Sequence, residues 1–372
     1  MHILRAKGLA LTLATFVLAV IPTAAVAQSL QPDSETFAKA RVISVAQAGT
    51  QQVPGTELTA DVQTLTAEIL EGPEQGKVVT FVNDFAQLEE GDVFYLRHLA
   101  SPLEGTEFYS VADPYRLPII FGLVAVFLAL LVLFGGIQGL RGLVSLAGSF
   151  ILIFYLLLPG IVAGYPPVLV AVGVSSLIII AGSYITHGFN RTTTAAVLGM
   201  IATVAASSLA AWYVVGAAAL SGFSGEESGY LHFQYGGTLD LVGILMSGII
   251  IGLLGVLYDV AIGQAVAVEE LMAAGQHLDK QTIYQRAIRI GREHIGALVN
   301  TLAIAYVGVA LPLLLLLGNA TAPLGYILNG EVIATELVRI LIGASGIILA
   351  VPVTTLIAVF LVRKTSTVRH TH

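Results

Sequence analysis

Seven stretches of this sequence stay apolar for about twenty residues or more, and they limit the fold before any motif does. They run roughly over 118–137, 143–163, 167–186, 194–219, 239–258, 296–318 and 338–362. A helix rises about 1.5 Å per residue, so each run can cross a hydrocarbon core about 30 Å thick. Strands rarely exceed about ten residues, which argues against a soluble α/β reading. Composition points the same way. Hydrophobic residues make up 56% of the chain and charged residues 11%, against about 25% charged in a typical soluble domain. The expected class is an α-helical polytopic membrane protein with about seven transmembrane helices.

The N-terminus reads as a targeting signal. Arg5 and Lys7 precede an apolar stretch from Gly8 to Ile21, and Ala25-Val26-Ala27 supplies a small-residue cleavage site. Cleavage is expected after Ala27, so residues 1–27 form the signal; an uncleaved anchor is the alternative. Both readings put the next segment outside the membrane. Residues 28–116 are richer in Asp, Glu, Gln, Gly and Thr, with short β-prone runs at Ala40–Val45, Asp61–Leu70, Lys77–Val82, Val93–Arg97 and Phe108–Val111. The turn signals Glu71–Gly76 and Leu88–Asp92 separate some of them. Such a series predicts a small extracytoplasmic β-domain, a barrel or a sandwich, with an OB-like barrel among the options. The chain has no cysteine, so this domain stands without disulfides and the chain offers no thiolate site.

The loop charges give an orientation. One set of connections carries Arg141, Arg191, Lys280, Arg286, Arg289 and Arg292, and the tail carries Arg363, Lys364 and Arg369. The opposite set, Gly164–Pro166, Gly222–Gly237 and Gly318–Glu336, holds no Lys or Arg. The positive-inside rule then places the β-domain outside and the tail, 364–372, in the cytoplasm of a bacterial-type cell. The helical domain spans 117–363. Within it, 266–295 reads as a cytoplasmic amphipathic segment, either an elbow on the inner leaflet or a gate.

Polar residues concentrate between Gly255 and Asn300. Asp259 lies in or at the inner edge of a long apolar run, where a carboxylate is costly and usually faces water, a cation or a partner. The alternative is an interfacial cap. Gly252, Gly255 and Gly263 flank it. With Gln264, Glu269, Glu270, Arg289, Arg292, His294 and Asn300 it forms a candidate transport or coupling site, in which Asp259 faces Arg292 across an inner vestibule. Arg289 and Glu293 stand at i,i+4 pairing distance. His294 has no second His at ligand spacing, so no metal site is expected. No nucleotide-binding loop or hydrolase motif occurs, and no cofactor or enzyme activity is expected. No Lys/Arg block suggests nucleic acid.

Two stretches resemble the YibE/F-like bacterial membrane proteins. One is Gly255-Val256-Leu257-Tyr258-Asp259-Val260-Ala261-Ile262-Gly263-Gln264-Ala265 with Glu269-Glu270-Leu271. The other is Ile290-Gly291-Arg292-Glu293-His294-Ile295, followed by Val299-Asn300-Thr301-Leu302 and Ala305-Tyr306-Val307-Gly308. Ala112–Arg116, Phe134–Gly136 and Gly139–Gly142 are similar too, and the resemblance extends over most of residues 60 to 362. It departs at Tyr258, where the family pattern has the first of two adjacent Asp residues. The resemblance implies a multi-pass bacterial membrane protein and names no substrate. Two functions are carried forward: a transporter or permease component for a small solute or ion, and a membrane sensor or scaffold acting through the outer β-domain. The expected partners are the lipid bilayer and either a second membrane protein or another copy of the chain.

Overall fold

A computed structural model of the chain describes residues 34–52, 59–101, 106–275, 277–318 and 322–362. The signal segment and the basic tail with Arg363, Lys364 and Arg369 lie outside these residues. The chain divides into two compact units between Phe127 and Leu128.

The first unit is a curled antiparallel sheet of five strands: β1 Ser34–Gln52, β2 Thr59–Ile69, β3 Val78–Asn83, β4 Val93–Ser101 and β5 Thr106–Pro114. Their order in the sheet is β3-β2-β1-β4-β5. All five predicted strands are present, and burial follows the period of two. On β3, Val79, Phe81 and Asn83 are buried while Val78, Thr80 and Val82 are exposed. The core gathers Val42, Leu65, Ile69, Phe81, Phe94 and Leu96 from facing strands. Register shifts in β1 after Val42 and Val45 bend the long strand, so it can pair with β2 along one part and β4 along another. The bend brings the outer strands towards each other as a half-barrel. Lys77 Nζ, at the start of β3, donates to the Tyr109 hydroxyl of β5 at 2.7 Å. Below them, Gln63 Nε2 donates to the Leu88 carbonyl at 2.9 Å, and Asn83 Nδ2 donates to the Gln63 side chain at 3.2 Å. Each amide buried there has hydrogen-bonding partners.

The second unit is helical. The helices are α1 Leu117–Leu152, α2 Leu158–Val162, α3 Pro167–His187, α4 Arg191–Ala217, α5 Glu226–Gln234, α6 Leu241–Ala274, α7 Lys280–Val309, α8 Leu311–Gly318, α9 Leu324–Asn329 and α10 Glu331–Leu361. Among the described residues, five helical runs are long and apolar enough to cross a membrane, and the bent pair α7–α8, at 67°, makes up to six. The predicted runs 118–137 and 143–163 fall in one stretch, Leu117–Val162. It is broken at Gly136, whose φ of 53° and ψ of −140° are not helical. A Cβ on Gly139 would lie 2.5 Å from the Leu131 carbonyl oxygen, whereas residues eight apart in a straight helix are about 12 Å apart. The chain therefore folds back there. Beyond the break, Gln138 Nε2 donates to the Thr186 carbonyl at 3.1 Å, and Gly160 packs on Val170. That half of α1, with α2, runs antiparallel to the whole of α3.

Segment 266–295 is not a separate element. Residues 266–274 continue α6, and 280–295 continue into the sixth apolar run as one helix, α7. Neither stretch has a proline, and their ends are set by caps: Asp240 Oδ1 accepts from Gly243 N at 2.8 Å, and Asp279 Oδ1 from Thr282 N at 3.0 Å. The inward face of α7, Ile283, Ala287 and Gly291, is buried, so packing rather than the leaflet surface takes its apolar stripe.

Candidate functional site

α6 is the hub of the helical unit, with α3, α4, α7 and α10 packed around it. Among its buried polar side chains is Gln264, 5% exposed. Gln264 Nε2 donates to the Ala287 carbonyl of α7 and to Thr355 Oγ1 of α10, each at 2.8 Å. Thr355 Oγ1 donates in turn to the Val351 carbonyl at 2.6 Å. Gly291 leaves the space: a Cβ there would meet the Gln264 side-chain oxygen at 2.7 Å. Three helices are thus joined at one amide nitrogen, both of whose hydrogens are used.

The other predicted residues are distributed differently. Asp259, Glu269, Glu270, Arg289, Arg292, His294 and Asn300 are exposed in the isolated chain. The expected Asp259–Arg292 contact is not formed: among the described residues, Asp259 has no ion pair, and Arg289 and Glu293 form none with each other. Asp259 sits on the outward side of α6 while its neighbour Tyr258 turns inward. Tyr258 packs against Gly182 of α3, with ring centroids 6.1 Å from His187. The His294 ring Nδ1 lies 3.1 Å from the Ile290 carbonyl of its own helix. Of the acidic pair, Glu269 reaches a cleft.

This cleft holds about 110 Å³ and is lined by His187, Asn190, Thr192, Thr193, Glu269 and the apolar side chains of Ile262 and Val266. That is room for several waters or a small ion and well short of a drug-sized ligand. It opens where α3 turns into α4. The turn is rigid: Asn190 Oδ1 caps α4 by accepting from Thr193 N at 2.7 Å, and its Nδ2 donates to the His187 carbonyl at 3.0 Å. Lys280 stands over the Phe360 ring at 4.7 Å, so the start of α7 and the end of α10 are also at this end of the unit. The cleft therefore opens at the end that carries Arg191 and Lys280.

A family model described as YibE/F-like protein matches residues 123–364. The chain belongs to the YibE/F-like family. No curated protein and no solved structure matches it. The match covers most of α1, all of α2 to α10, the cleft and both signature stretches. It begins after the half-barrel, so the family assignment rests on the helical unit, not on the segment from residue 60 onward.

Within this YibE/F-like unit, two features escape the sequence reading. The first is a seam between α4 and α10. Gly199, Thr203, Ser207 and Ala211 on α4 are buried four residues apart, as are Gly346, Ala350, Thr354 and Ala358 on α10. Gly199 sits against Thr354 and Gly346 against Ser207, the close approach that small residues permit. The spacing of four was the available signal. The second is an ion pair inside α10: Arg339 Nη1 donates to Glu336 at 2.9 Å. Treating Glu336 as a loop residue and starting the span at 338 divided it; α10 begins at Glu331.

Proposed function

We propose that this YibE/F-like protein is a multi-pass protein of the bacterial cell membrane whose helical unit moves a small solute or ion. In this reading the N-terminal half-barrel is an OB-like domain outside the cell, and the C-terminus is cytoplasmic. The end of the unit with Arg191 and Lys280 faces inward under the positive-inside rule. The chain makes seven crossings, two of them the halves of the run broken at Gly136.

The observation that carries transport is the cleft at the basic end, with Glu269 and His187 inside it and polar groups behind it. Tyr258 Oη is buried beside the Ser183 and Thr186 side chains, and neither it nor Ser183 Oγ makes a well-formed hydrogen bond among the described residues. Polar groups held this way in an apolar bundle are uncommon unless water or an ion visits them. The test is solute-driven current on reconstituted liposomes, scanned over small ions and solutes. Wild type should give a current that Glu269→Gln and Asp259→Asn each reduce at least about tenfold, with insertion unchanged. Currents equal to wild type in both variants would end this assignment.

One observation favours the sensor or scaffold reading. Phe37 and Phe108 are 59% and 61% exposed on the outward face of the sheet, where β4 separates them. Exposed aromatic pairs of this kind suit a partner surface. Absence of current for every solute, together with capture of a membrane partner that Phe37→Ser and Phe108→Ser abolish, would favour it.

A further inference from the structure

The Glu336–Arg339 pair lies well inside the helical unit. Glu336 and Arg339 are about 8 and 12 Å along α10 from Glu331, and Gly252 is about 16 Å along α6 from Leu241, at 1.5 Å per residue. The Tyr306 hydroxyl of α7 packs on Gly252, 2.8 Å from where a Cβ would stand. Tyr306 interacts electrostatically with both Glu336 and Arg339. Three helices therefore bring an acid, a guanidinium and a phenol into the same half of the unit, at the end opposite the cleft.

An ion pair retained for stability alone normally has its hydrogen bonds closed, because buried charge is expensive. This pair is open. Arg339 reaches Glu336 through Nη1 only, its Nε is buried without a partner, and the two side chains are 27% and 26% exposed. Gln264, closed on both neighbours, is the contrast within the same unit. Among the described residues, the facing stretches of the neighbouring helices hold no Lys, Arg, His, Asp or Glu. α6 has no ionisable residue from Leu241 to Leu257, α4 from Gly199 to Ala217 offers only the exposed Tyr213, and α7 from Asn300 to Val309 offers only Tyr306. The helix ends nearest the pair carry Glu331, Asp240, Glu226 and Glu227 and, among the described residues, no Lys or Arg. A mouth of that sign concentrates cations, protons included, and repels anions.

We propose that Glu336 is a proton-binding site within the helical unit, with Arg339 as its resident counter-charge and Tyr306 as the adjoining hydroxyl. The proposal deepens the transport reading and takes its role from it: the proton is the coupling ion, entering from the acidic end. When Glu336 takes a proton, one O–H bond forms, the contact to Arg339 Nη1 loses its ionic character, and the guanidinium is left as a net charge. That charge biases α10 against the neutral pair it replaces, so proton occupancy and helix position become linked.

The test is infrared titration of the full-length protein in liposomes, reading the C=O stretch of protonated carboxyl groups. Wild type should gain a component of the carboxyl band on acidification that the difference from Glu336→Gln isolates and Glu331→Gln keeps. Arg339→Gln should move its midpoint, since the cation beside the carboxyl is lost. Arg339→Lys keeps the charge, guards against misfolding of the Gln variant, and should titrate close to wild type. A full band in Glu336→Gln, or an unmoved midpoint in Arg339→Gln, overturns the site. The readout needs no transport. Titration without any solute current would sink the transport reading and leave the site, whereas current without Glu336 titration would sink the site alone.

Discussion

Two polar residues on α6, five positions apart, behave differently. Gln264 is buried and closed by two hydrogen bonds, while Asp259 is exposed and has no described cation beside it. Gln264→Ala removes both bonds and leaves a gap between three helices, although the Thr355 hydroxyl keeps its bond to the Val351 carbonyl. It should destabilise the detergent-solubilised protein by about 1–3 kcal/mol, read as a lowered thermal midpoint. Asp259→Asn should leave that midpoint within about 0.5 kcal/mol of wild type, so any effect it has on current is not a folding effect. A different kind of residue-level prediction concerns the half-barrel edges. The Tyr109 hydroxyl, which donates to Glu107 at 2.9 Å, and the nearby Lys77 ammonium hold the Glu107 carboxyl below its ordinary range. A carboxyl lowered on folding contributes at neutral pH, and the contribution disappears as pH falls through the folded value. Lys77 is held above its ordinary range by Glu74 and Tyr109, so its share is lost only in strong alkali. After correction for intrinsic rates, amides of β3 and β5 should exchange faster at pH 3 than at pH 7. Glu107→Gln should shrink that difference; an unchanged pH dependence would detach the edge contact from Glu107.

At the scale of elements, Gly136 and the α4–α10 seam set the arrangement. Gly136 adopts a dihedral pair almost confined to glycine, so Gly136→Ala should cost about 1–3 kcal/mol or straighten the run. Spin labels at Leu130 and Leu140, both exposed and on either side of the break, would move apart in the second case. Gly199→Ala places a methyl group on Thr354 and should destabilise by about 1–3 kcal/mol, with partial recovery on adding Thr354→Ala. If Gly199→Ala is neutral, the seam is looser than described. These elements also show which parts of the fold could be read in advance. The strands of the half-barrel were legible because Leu65, Ala67 and Ile69 alternate with polar neighbours, and alternation is a local property. The existence of the apolar helices was legible from run length. Their ends were not. Hydropathy falls at the first charges, whereas helical hydrogen bonding continues until a cap, so α6 extends to Ala274 and α10 begins at Glu331. That shift hid the Glu336–Arg339 pair. Gln264 and Glu269 were visible as polar residues beside an apolar run, but their separate fates depend on α7, α10 and the α3–α4 turn, which lie elsewhere in the sequence. The seam was hidden for the same reason: small residues four apart mean little until the facing helix is known.

For the whole molecule, the assignments rest on which end of the helical unit faces the cytoplasm. One end gathers Arg191, Lys280 and the cleft with Glu269; the other gathers Asp240, Glu331 and the approach to Glu336. Glu331 ties that second end together by accepting from Ser221 N at 2.8 Å and Gly222 N at 2.9 Å. In the proposed topology, the break at Gly136 sets the parity of crossings and hence the side of the half-barrel. The chain contains no cysteine, so single cysteines can be placed and labelled without background. The direct measurement is labelling of intact cells with a membrane-impermeant maleimide, using variants at Asp84, Glu226 and Gln281. Asp84→Cys and Glu226→Cys should label in intact cells, and Gln281→Cys only after the membrane is opened. Labelling of Gln281→Cys from outside, or protection of Asp84→Cys alongside an accessible Glu226→Cys, would contradict the account.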